Sequence, residues 1–71
     1  MKGKRVFAQR ETETIRQKLR EVRRADRDHQ RRLRKDLRAM GFYITDFSRS
    51  SRGFTAADFD SLVERGTITI I

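Results

Sequence analysis

The stretch Arg16–Arg38, RQKLREVRRADRDHQRRLRKDLR, decides how this chain folds, because it reads either as one long helix or as a helix that bends midway. No Gly or Pro interrupts the sequence from Thr14 to Met40, and Ile15, Leu19, Val22, Leu33, Leu37 and Met40 recur at helical spacing on one stripe. Spacings of four and three put Asp26 and His29 on that same stripe, where a heptad seam calls for apolar side chains. The helix is then either continuous and wet at its centre or bent near Ala25–His29. Continuity is the favoured reading, since no turn residue marks a bend.

The arginines of the stretch are not scattered. At 100° per residue, Arg16, Arg20, Arg23, Arg27, Arg31, Arg34 and Arg38 fall within an arc of roughly 80°, about 33 Å long on a continuous helix. Interleaving acids at three- and four-residue spacing would gain a few tenths of a kcal/mol per pair, whereas like charges at that spacing repel. Along this line each neighbour is another arginine. A bound polyanion would relieve the repulsion, and about three to five guanidinium groups would meet phosphates at once. A merely solvated face and an acidic protein groove are the competing readings. The preference for arginine, 14 against 4 lysines, suits bidentate phosphate or carboxylate contacts equally.

Outward from this stretch the chain changes character. The net charge of +8 is carried by residues 1–40, with 15 Lys/Arg against 6 Asp/Glu, whereas residues 41–71 hold 3 against 4. Residues 1–10 lack a firm period and read as a flexible basic arm, with Val6 and Phe7 as a short strand or docking contact. A helix start lies between residues 11 and 15, marked by the capping-box spacing of Thr14 and Gln17 and by Glu11 and Glu13 near the positive end of the helix dipole.

After Gly41, a left-handed stop, FYITDF (Phe42–Phe47) is rich in aromatic and β-branched residues and reads as a strand. SRSSRG (Ser48–Gly53) reads as a loop, in which Arg49 and Arg52 could close on a phosphate. In GFTAADFDSLVERG, Thr55 and Asp58 have capping-box spacing and Phe54 and Phe59 that of a hydrophobic staple, so a helix starts here and ends at Gly66. TITII (Thr67–Ile71) closes the chain as a strand.

The expectation is an α+β fold: one small domain over residues 11–71, in α-β-α-β order, with a long basic helix at 11–40 and a strand-helix-strand unit with a two-stranded sheet at 41–71. Its core is drawn from Leu33, Leu37, Met40, Phe42, Ile44, Phe47, Phe54, Phe59, Leu62, Val63, Ile68 and Ile70. A domain of 71 residues buries only about 60% of its unfolded surface. Ile15, Leu19 and Val22 lack evident cover within one chain and form the expected homodimer seam.

Several function classes drop out. Without cysteine and with one histidine, there is no disulfide framework, no thiol nucleophile and no evident metal set, so neither a cofactor nor an enzymatic activity is expected. His29 reads as a lone solvated histidine ahead of a pH-sensitive pair with Asp26, and Asp46, Asp58, Asp60 and Glu64 as caps or solvated acids. No apolar run reaches signal-peptide or membrane-span length, which predicts a soluble, cytoplasmic protein with no membrane partner.

The functional expectation is a small non-enzymatic nucleic-acid-binding protein, DNA ahead of RNA, such as a regulator or a mobile-element accessory factor. Its contacts are Arg16, Arg20, Arg23, Arg27, Arg31, Arg34, Arg38, Arg49 and Arg52. Tyr43 is the one plausible exposed stacking surface. The alternative is an inhibitor or antitoxin-like adaptor whose basic helix binds an acidic protein surface. A purely structural coiled coil is the third reading.

Overall fold

The structure, a computed structural model, describes residues 3–49 and 53–71. Its described elements are β1 (Val6–Phe7), α1 (Gln9–Val22), α2 (Arg27–Ala39), a 3-10 turn (Ile44–Asp46), α3 (Ala56–Glu64) and β2 (Thr69–Ile70). The α+β class holds, with three helices and a two-stranded sheet. The order and pairing differ from the α-β-α-β expectation.

The long helix is broken. α1 ends at Val22 and α2 starts at Arg27, with Asp26 as its cap in extended conformation (φ −71°, ψ 177°). The Asp26 carboxylate accepts the His29 backbone N–H at 2.8 Å, the local bond through which Asp competes with a continuing helix. Gln30 fastens the connection, its side-chain amide donating to the carbonyls of Val22 (3.0 Å) and Ala25 (3.1 Å). Gln30 thus reaches Val22, and Lys18 reaches Asp36 at 3.3 Å, so sequence position rises on one helix as it falls on the other. α1 and α2 are an antiparallel hairpin.

The physical reason for the break lies in the apolar stripe. A continuous helix would leave Ile15, Leu19 and Val22 in water and set Asp26 and His29 on the seam. Folding back buries Ile15 and Leu19 completely and Val22 to 6% exposure, while Asp26 and His29 stay exposed. Each aliphatic side chain so buried contributes about 1.5–3 kcal/mol. The stripe assigned to a homodimer seam is therefore covered within a single chain, and the reason for expecting that dimer is gone.

The N-terminal segment is likewise not a free arm from residue 3 onward. Phe7 is fully buried, and β1 pairs in parallel with β2, Val6 opposite Thr69 and Phe7 opposite Ile70. The Lys4 N–H donates to the Gly41 carbonyl at 2.8 Å, and the Gly3 N–H donates to the Asp46 carboxylate at 2.8 Å. α1 then begins at Gln9, ahead of the expected 11–15. The Glu11 carboxylate accepts the Ala8 N–H at 2.8 Å, which, with Lys4 nearby, holds its pKa below the ordinary glutamate value. A carboxylate lowered in this way stabilises the fold above its unfolded pKa and loses that contribution as pH falls through the lowered value. Thr14, expected as the cap, lies within α1 and donates to the Arg10 carbonyl.

Both glycine stops are as expected. Gly41 (φ 92°) and Gly66 (φ 78°) adopt the left-handed conformation after α2 and α3. In each case the next residue donates back into the helix, Phe42 N–H to Leu37 (2.9 Å) and Thr67 N–H to Leu62 (3.0 Å), the bonds that close a Schellman motif. Thr55 and Asp58 form the reciprocal capping box of α3, at 2.9 and 3.2 Å.

Phe42–Phe47 is not a strand. Tyr43 and Ile44 accept i+3 bonds from Asp46 and Phe47, so the chain coils into the 3-10 turn, and the sheet takes its first strand from Val6–Phe7 instead. The aromatic residues that suggested a strand serve the core. Phe42 lies at its centre, with ring centroids 5.4 Å from Phe59, 5.8 Å from Phe47, 5.9 Å from Phe54 and 6.1 Å from Phe7. Ile15, Leu19, Leu37, Ile44, Leu62 and Ile68 complete the buried cluster, with Met40, Phe47 and Val63 packed partly buried against it.

Candidate nucleic-acid interface

The helix break divides the arginine line in two. Arg16 and Arg20 project from α1, Arg23 is its C-terminal cap, and Arg27, Arg31, Arg34 and Arg38 project from α2. Within each helix the arginines still occupy an arc of roughly 60°, and both arcs lie about 90–110° around from the apolar stripe in the same rotational sense. When two such helices pack antiparallel with their stripes turned inward, both arcs come to one side of the hairpin. The 33 Å line on one helix becomes a shorter patch built on two, with about 16 Å of rise between Arg27 and Arg38.

The side chains agree with this at the hairpin's closed end. Arg23 of the connection and Arg27 and Arg34 of α2 line one hollow, together with Val22 and Gln30. Arg20, Arg23 and Arg24 line an adjoining one along α1 with Gln17 and Glu21. The opposite side is chemically different. There Lys18 pairs with Asp36, and Asp26, Asp28, His29, Arg32 and Asp36 border a mixed-charge hollow. One side of the hairpin concentrates positive charge, and the other sets aspartates among its bases.

The nine arginines named from the sequence fare differently. Arg20, Arg23, Arg27, Arg31 and Arg38 are exposed, and none of their side chains makes a hydrogen bond or ion pair among the described residues. Arg16 is taken up by the fold, its Nε donating to the Asp60 carboxylate at 2.6 Å and its guanidinium lying 5.7 Å from the centre of the Phe59 ring. With its side chain 27% exposed, it anchors α3 to α1 and leaves the line. Arg34 is half-buried and engaged within the chain. Arg49 is exposed beyond the 3-10 turn, away from the hairpin in sequence, and Arg52 lies outside the described residues.

Arg24 belongs to the patch but falls off the single-helix arc, because the arc assumes helical geometry at a residue that sits in the connection. The signal that could have found it is the Asp26–His29 pair of polar residues on the stripe, which marks the bend. No group of three or more metal-ligating side chains occurs among the described residues, and no described helix is long and apolar enough to cross a membrane. No family model, curated protein or solved structure matches this chain.

Proposed function

We propose that this protein binds nucleic acid, DNA ahead of RNA, by holding backbone phosphates on the arginine side of the α1–α2 hairpin. It acts as a binding protein and not as an enzyme. The observation that carries this reading is the set of five exposed arginines, Arg20, Arg23, Arg27, Arg31 and Arg38, without an acidic partner among the described residues, on a hairpin whose other side holds the Lys18–Asp36 ion pair and sets Asp26 and Asp28 beside Arg32.

Mutual repulsion among these groups is a cost that folding alone does not offset. Phosphates spaced along a strand would offset it, and arginine's planar fork suits them as bidentate acceptors. The patch spans less than one helical turn of duplex, so the contacts are few and dominated by the backbone.

The test is a titration with duplex DNA over a range of salt concentration. About three to five phosphate contacts predict a log–log slope of the binding constant against salt of about −2.7 to −4.5. Absence of binding at low salt would transfer the arginine patch to the competing reading, an acidic surface on a protein partner.

A further inference from the structure

The C-terminal half of α2 brings the arginine side against the segment that follows it. Arg34 and Arg38 share a hollow with Tyr43, over the buried side chains of Leu37, Phe42 and Ile44. This hollow differs from the rest of the patch because it combines an aromatic edge, an apolar floor and an exposed guanidinium. Arg38 is exposed and Tyr43 half-exposed.

Tyr43 is also held in place. Its carbonyl accepts the Asp46 N–H at 3.0 Å at the start of the 3-10 turn. The N-terminal segment backs the ring: a first side-chain carbon on Gly3 would stand 2.8 Å from Tyr43 Cδ1 and 2.5 Å from the Gly41 carbonyl oxygen. Gly3 is pinned in that position by Asp46, and Lys4 by Gly41. A ring fixed by its backbone and by the neighbouring N-terminal segment loses little freedom when a ligand stacks on it.

From this arrangement we infer that the hollow receives an unpaired nucleotide of the bound nucleic acid, its base stacked on Tyr43 and its phosphate on Arg38. The inference rests on the nucleic-acid reading and deepens it by naming the strand state recognised. Paired bases do not offer their faces to a side chain, whereas every unpaired base does. The arginines toward the closed end of the hairpin then follow the backbone away from that nucleotide.

The sequence supplies its own reporter, since Tyr43 is the sole tyrosine and there is no tryptophan. The full chain is titrated with a short single-stranded DNA, an RNA of the same sequence and the matching blunt DNA duplex, following tyrosine emission and affinity together. Quenching at saturation by a single strand, with little by the blunt duplex, is the expected result, and the stronger strand identifies the preferred sugar.

Tyr43→Leu should weaken single-strand binding about 5- to 150-fold, the loss that removing one base stack implies, and leave duplex binding unchanged. Tyr43→Phe should retain the affinity. Emission unchanged at saturation, which needs no variant, would overturn the hollow as a nucleotide site, and so would equal loss of both ligands in a folded Tyr43→Leu. Either outcome leaves the arginine patch standing. Failure of the unaltered chain to bind any of the three ligands would instead remove the reading beneath it.

Discussion

Phe42 is the residue on which the packing converges, since the other four phenylalanines of the sequence all meet its ring. Phe42→Ala should cost about 3–5 kcal/mol, a large share of what a domain of this size has, and abolish a cooperative melt by circular dichroism. A transition close to that of the parent would remove Phe42 from the centre of the core. The role of Phe54 and Phe59 was legible because a staple has a fixed spacing from its cap, and Thr55 and Asp58 supply that cap. Phe7 was not legible as core. Its strand is two residues long, too short for a period, and its partner Ile70 lies at the other end of the chain. Burial that depends on long-range pairing leaves no local pattern.

At the scale of elements, the decisive event is the reversal at Arg23–Asp26. The periodicity of α1 and α2 was readable, and so were their glycine stops. The break was visible only as two polar residues in an apolar stripe, a signal compatible with both a wet helix and a bent one. What selects the bend is tertiary: Leu33 and Leu37 from α2 are buried with the stripe of α1, which a straight helix cannot achieve. Leu19→Glu distinguishes this from a seam between chains. With Leu19 fully buried inside one chain, an unpaired carboxylate there should unfold the protein, seen as loss of helical signal and of the cooperative melt. A variant that stayed folded while its sedimenting mass halved would return the stripe to an intersubunit role. Phe42–Phe47 misled for a related reason, since its β-branched and aromatic residues suit a pleated surface but have no neighbouring strand to pair with.

The whole molecule is a helical hairpin with one basic side, closed against a short 3-10 turn, a third helix and a parallel pair of terminal strands. The arginine pattern was legible in the sequence, but its shape was not, because a line on one helix and a patch on two share the same spacing. Arg16 shows the limit most clearly: its position on the line is perfect, and Asp60, 44 residues on, takes it out. The central claim is that this side, and not bulk charge, grips phosphate, and matched triple substitutions test it most directly. One variant changes Arg23, Arg27 and Arg31 to Gln on the arginine side, and the other changes Arg10, Arg32 and Arg65 to Gln elsewhere, so net charge is equal. Gln keeps helix propensity close to that of Arg, and both variants should remain folded. The measurement is the salt dependence of duplex DNA affinity for both. The account predicts that the slope of the first variant falls in magnitude by about 0.9 for each phosphate no longer neutralised, at most about 2.7, and that the slope of the second stays near the parent's. Equal reductions of affinity and slope in the two would contradict it.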